Sequence, residues 1–226
     1  MSRGDLYERA IFNELLSSKL TKRSYLPAGS DKNKPDAVFL VNDKKYNLEI
    51  KLDLDADFGQ GTLRYDFNNF KWISYAENPK MMELMDYYEI EKIANDKWKK
   101  VPNRVGKNDI GRKPRTLTPK EIAEDKKNFP DLYVNLTGRN PIAEYYNSKD
   151  TYYIQIGKLH GFYFMGSDPL NLGVPEFNPS QQKIRIRLKT SGNTYRFSTA
   201  LVISKNIKKS NYDLDINTNF LVNAGR

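Results

Sequence analysis

An α/β fold is what this sequence predicts, on three observations. An amphipathic helix opens the chain at residues 4–20, "GDLYERAIFNELLSSKL". A strand pair follows at 38–41 and 45–52, with Asn42, Asp43 and Lys44 turning between them. After about residue 150 the pattern changes to short strands punctuated by Gly, Pro and Asn. Together these fit a single α/β domain over residues 1–226 with a β-rich C-terminal elaboration. Residues 1–75 would begin the core, 76–150 form a helical and basic-loop insertion, and 151–226 supply the β-rich, DNA-contacting part.

Each element has its own signal. In the first helix Asp5 is the expected N-cap, and Glu8 follows three residues later as in a capping box. "FGQGTLRYDF" reads either as a short strand or as a helix start. Residues 79–100 are helical in period, with Met82, Met85, Ile90 and Ile93 as core contacts. Residues 118–129 predict a helix capped by Thr118, with Pro119 at its first position and Glu121 closing the box. "DTYYIQIG", "GFYFMG" and "QKIRIRLKTSGNTYRFSTALVIS" read as strands, the last folded at Ser191–Gly192–Asn193. The dense aromatics of 145–164 are expected to be mostly core.

Composition narrows the function. There is no cysteine, so disulfides and thiolate metal sites are excluded, and the single histidine, His160, excludes a histidine-based metal centre. No apolar run approaches membrane-spanning length, and the N-terminus lacks a signal-peptide core, so a cytoplasmic protein is expected. The net charge of +9 points either to a polyanionic partner, most often nucleic acid, or to a merely basic soluble chain. Residues 97–115 alone hold eight Lys or Arg against one acid, Asp109, and predict an exposed loop that orders on a ligand.

The strand pair carries acids where strands usually keep apolar residues. With the turn centred between Asp43 and Lys44, Asp36 faces Lys51 and Val38 faces Glu49. Strand side chains alternate, so Asp36, Glu49 and Lys51 share one face, with Asp36 diagonal to Glu49. Ala37, Phe39, Leu48, Ile50 and Leu52 take the other and form a core face. Two carboxylates at that spacing suit Mg²⁺ or Mn²⁺, and Lys51 beside them would orient an attacking water or help to deprotonate it. Ordinary charges on a solvated hairpin are the competing account. Glu8 falls on the apolar stripe of Ile11, Phe12 and Leu15, where an acid needs a partner or a metal, unless its role is the capping box. Gln60, beside Phe58–Gly59, is a further candidate for phosphate contact.

These residues resemble the PD-(D/E)xK nuclease superfamily, in which type II restriction endonucleases and archaeal Holliday-junction resolvases are found. The resemblance rests on the helix "GDLYERAIFNELL", the loop "YLPAGSDKNKPDAVFL" and the strand "YNLEIKLD", and it covers residues 4–60, about a quarter of the chain. It implies a restriction-endonuclease-like core, a central mixed β-sheet flanked by helices. It also implies Glu8, Asp36 and Glu49 as metal ligands, Lys51 as the catalytic lysine, and Ser30 as an accessory phosphate contact or a plain loop residue. Nothing after about residue 70 resembles the resolvases, and the additional chain favours the restriction type.

For nucleic acid, "QKIRIRLK" places Lys183, Arg185, Arg187 and Lys189 on one strand face and Ile184, Ile186 and Leu188 on the other. That row suits phosphate contact, or else defends an exposed edge strand. Asn193, Tyr195 and Arg196, at or near the hairpin tip, are candidates for reaching base edges. The leading expectation is a Mg²⁺-dependent endonuclease of double-stranded DNA, acting as a sequence-specific restriction-type homodimer and accepting Mn²⁺. A structure-selective nuclease and a non-catalytic nucleic-acid-binding module are the alternatives.

Overall fold

The computed structural model describes residues 2–25, 35–104, 106–107, 109–158, 160–191, 194–204, 207–215 and 218–223. In chain order its elements are α1 (Arg3–Ser17), β1 (Ala37–Val41), β2 (Lys44–Lys51), β3 (Gly59–Asp66), β4 (Lys71–Tyr75), α2 (Pro79–Tyr87), α3 (Ile90–Lys97), α4 (Pro119–Asn128), β5 (Leu132–Leu136), α5 (Pro141–Asn147), β6 (Thr151–Ile156), β7 (Gly161–Phe164), β8 (Gln182–Ser191), β9 (Thr194–Ile203) and α6 (Asn219–Asn223). The fold is α/β, with two sheets. Among the described residues no helix is long and apolar enough to cross a membrane.

Two compact units share the chain by turns. The first comprises Met1–Ala56, Ile142–Ser180 and Ile203–Arg226; the second comprises Asp57–Pro141 and Gln181–Val202. Each of the three consecutive stretches set out above therefore contributes to both units. The strand-rich last third divides likewise, with β6 and β7 in one sheet and β8 and β9 in the other.

The first unit holds a four-stranded mixed sheet in the order β1-β2-β6-β7. β1 and β2 are antiparallel, β2 and β6 parallel, β6 and β7 antiparallel. One face of this sheet is apolar because Ala37, Phe39, Val41, Leu48 and Ile50 alternate inward. They pack with Ile11 and Leu15 of α1, and with Tyr153, Phe162, Leu214 and Leu221. Phe39 lies edge-on to both Tyr153 and Phe162.

In the second unit the sheet order is β4-β3-β9-β8-β5. Its core gathers on Trp72, whose ring meets those of Tyr65, Trp98, Phe129 and Phe197 at centroid distances of 4.4–5.5 Å. "FGQGTLRYDF" is strand, and Gly61 shows why no larger residue serves there. A Cβ would stand 2.6 Å from the Met85 sulfur and 2.7 Å from the Thr199 hydroxyl. The helix expected over 79–100 is broken in two where Glu89 takes the left-handed conformation. The break turns Met81, Leu84, Met85, Ile90 and Ala94 to the core, leaving Met82 and Ile93 only partly covered. α4 and its Thr118–Glu121 capping box match the sequence expectation. Within the basic segment 97–115 the described residues are anchored in part, while Gly111, Arg112, Lys113, Pro114 and Arg115 are exposed as expected. Trp98 is buried, Asp109 accepts from the Tyr65 and Gly106 N–H groups, and Ile110 bridges to Asp66.

Candidate active site

α1 starts earlier than its sequence implies. Ser2 is the N-cap, and the capping box closes between Ser2 and Asp5, at 3.1 and 2.8 Å. A Ser–x–x–Asp box satisfies the first free N–H groups as well as Asp5–Glu8 would, and it gains a turn of helix. Glu8 is thereby released from capping, and it is half-buried on the Ile11–Phe12–Leu15 stripe. Tyr7 docks this turn, since its hydroxyl accepts from Gln155 Nε2 at 3.1 Å. The Tyr7 ring lies against Gly157, where a Cβ would stand 2.8 Å from it. Gln155 is itself buried and also pairs with Asp213 and the Leu214 N–H.

The hairpin register differs from expectation by one pair. Asn42 and Asp43, at φ of 50° and 60°, make a two-residue turn, and Val41 pairs with Lys44. Asn and Asp tolerate that left-handed geometry, whose twist suits a tight hairpin. Ala37 therefore faces Leu48, and the next step brings Asp36 beside Glu49 rather than opposite Lys51. Opposed partners move by two residues, so every side chain keeps its face.

The acid face is held by specific hydrogen bonds. Asp36 Oδ2 accepts from the Ile50 N–H at 2.9 Å. Burial foremost, then Glu49, pushes the Asp36 carboxyl up to about 7, against the pull of Lys51 and the Ile50 N–H. Glu49 is buried and in direct contact with the Lys51 ammonium. Burial alone would lower Lys51, but Glu49, Asp36 and Glu8 outweigh it and hold the ammonium protonated above its ordinary value. Burial raises Glu8 as well, opposed by Lys51 and reinforced by Asp5 and Glu49. Asp36, Glu49, Lys51 and Glu8 thus share one electrostatic neighbourhood. Among the described residues, however, no three acids stand together as a metal-holding group.

One member of the site was not legible in the sequence. Tyr146 of α5 is buried, and its hydroxyl donates to Glu49 Oε1 at 2.8 Å. Burial, then Glu49, keeps that hydroxyl well above the usual phenol range, so it acts as a donor. The one available signal is generic: a buried tyrosine hydroxyl needs a partner. Tyr146→Phe is expected to cost about 1.5–3 kcal/mol, the range for a hydrogen bond to a charged group. Denaturant melts would measure it, and a loss under about 0.5 kcal/mol would mean that solvent replaces the bond.

The remaining candidates lie in the second unit or outside the described residues. Ser30 and Asn193 lie outside them. Gln60 is on β3, 3.4 Å from Asp57 and 3.3 Å from Arg196. Lys183, Arg185, Arg187 and Lys189 do share a face of β8, with Ile184 and Ile186 buried on the other. β8 sits between β9 and β5, whose pairing covers Gln182–Ile186, so Lys183 and Arg185 do not defend a sheet edge, whereas Arg187 and Lys189 lie beyond that pairing. Arg196 is exposed, but Tyr195 is not a base contact. It alternates to the core face, is buried, and its hydroxyl donates to Asp125. No protein-family model, curated protein or solved structure matches this sequence.

Proposed function

We propose that the chain is a Mg²⁺-dependent endonuclease of double-stranded DNA, a restriction-type homodimer of the cytoplasm that also accepts Mn²⁺. One observation carries this reading. Asp36, Glu49 and Lys51 meet on one face of a hairpin, fixed by the Ile50 N–H and the Tyr146 hydroxyl, with Glu8 in the same field. A mixed sheet bearing the acids on its hairpin supports a restriction-endonuclease-like core.

The donor chemistry suits a hard divalent cation: oxygen ligands only, with the neighbouring carboxylates of Asp36 and Glu49 beside one lysine. Asp36 and Glu49 would hold the ion, with Glu8 alongside. It would supply a water of lowered pKa and a counter-charge for the scissile phosphodiester. The chain's own groups do the rest. Tyr146 and the Ile50 N–H keep the two carboxylates from turning away. The Lys51 ammonium, carried by Glu49, orients water and offsets charge that builds on the phosphate.

A non-catalytic DNA-binding module is the second reading. It is favoured by the Lys51–Glu49 contact and by the lack of three assembled acids among the described residues. Plasmid incubated with Mg²⁺ or with EDTA separates the two, and supercoiled plasmid left intact in both would sink the nuclease. Sequenced ends of cut DNA decide between restriction-type cleavage and a structure-selective nuclease. Asp36→Asn should weaken Mn²⁺ binding by about tenfold or more in calorimetry, at least what loss of a supporting residue costs a metal site. An unchanged affinity removes Asp36 from the ligand set.

A further inference from the structure

The five-stranded sheet has two unlike faces. Leu63, Tyr65, Trp72, Ile184, Ile186, Tyr195 and Phe197 are buried on one. The other presents Lys183, Arg185, Arg187 and Lys189 along β8, at a two-residue repeat of about 6.6–6.8 Å. Three of these four cations converge on a single carboxylate, Asp57. Arg185 lies 2.7 Å from Oδ1, while Lys189 and Arg187 lie 3.2 and 3.7 Å from Oδ2. Gln60 also donates to Oδ2, at 3.4 Å.

The cluster is graded from inside to outside. The Asp57 side chain is 8% exposed and that of Arg185 17%, whereas Arg187 and Lys189 reach 29% and 37%. The inner pair is therefore structural, and the outer two cations are only partly neutralised. At 3.7 Å Arg187 makes an ion pair but no hydrogen bond, so its planar fork of donors is largely unspent. That fork fits a phosphate as well as it fits a carboxylate.

We propose, building on the DNA reading above, that Asp57 is a resident counter-ion with which a DNA phosphate competes for Arg187 and Lys189. The face is then a sequence-neutral seat for the duplex backbone, and Asp57 sets how tightly it holds DNA in general. Its side chains are mostly cations with few amides, which suits phosphates rather than base edges. A single strand would need aromatic platforms. On this face Tyr133, opposite Arg185, is the exposed aromatic among the described residues, and Arg64 covers the Tyr75 ring at 3.3 Å.

The test is binding of a fluorescent duplex of arbitrary sequence in EDTA, titrated with salt. Asp57→Asn should bind several-fold tighter at low salt and steepen the dependence of log K on log salt by about one. Arg187→Gln with Lys189→Gln should flatten that slope by about two. The double variant keeps the Arg185–Asp57 pair, so it still decides the matter if Asp57→Asn does not fold. A folded Asp57→Asn that binds no tighter, or a double variant with an unchanged slope, overturns the proposal. Equal affinity for a single strand of the same length overturns its assignment to duplex DNA. Plasmid cleavage followed in parallel keeps the two readings apart. Slopes that change as expected without cleavage retire the nuclease alone, and cleavage with unchanged slopes retires the phosphate seat alone.

Discussion

Lys51→Ala is expected to abolish cleavage and to destabilise the protein by about 3–5 kcal/mol, the usual cost of stripping one partner from a buried ion pair. The Lys51 and Glu49 side chains are 18% and 8% exposed, so water does little to replace the lost ammonium. What remains is Glu49 beside Asp36, two carboxylates that already repel each other. A second change separates chemistry from folding. Glu49→Gln added to Lys51→Ala removes the orphaned charge, so the double variant should recover most of the stability and none of the cleavage. Denaturant melts and plasmid assays on the same preparations give both readouts. A single variant that loses under about 1 kcal/mol would mean the pair is screened like a surface salt bridge. A cleaving Lys51→Ala would remove the lysine from the chemistry.

Trp72→Ala should be as damaging, for a reason unrelated to the site. The ring is fully buried among Tyr65, Trp98, Phe129 and Phe197, and the Trp72 backbone is held on both sides by the Asn95 amide. Truncation leaves a cavity walled by rigid rings that cannot collapse into it. The expected loss is about 3–5 kcal/mol, a large part of a typical domain's 5–15 kcal/mol. Trp72→Phe should cost much less, since it keeps an aromatic partner for the surrounding edges. A Trp72→Ala loss below about 1.5 kcal/mol would mean that these rings repack.

The pattern of residues settled several things without the fold. Alternation alone assigned Asp36, Glu49 and Lys51 to one face of the hairpin and Ala37, Phe39, Leu48 and Ile50 to the other. That assignment holds with the turn at Asn42–Asp43, because moving partners by two residues preserves side-chain parity. The same parity put four cations on one face of β8, and local capping chemistry gave α4 its start. These are short-range rules, fixed by chirality and by backbone hydrogen bonds within a few residues.

What the tertiary structure decided depends on residues far apart in the chain. The parallel pairing of β2 with β6 joins Glu49 to Ile154 across more than a hundred positions, and α5 just before β6 brings Tyr146 to Glu49. The interior place of β8 follows from β5 pairing beside it, and Asp57 meets Arg185 only once that sheet has formed. Tyr195 is buried although it lies near a hairpin tip, because proximity to a tip does not decide which face the core claims. No local period encodes these meetings. They arise because each sheet buries an apolar face, and residues distant in sequence then supply partners for buried polar groups such as Glu49 and Gln155.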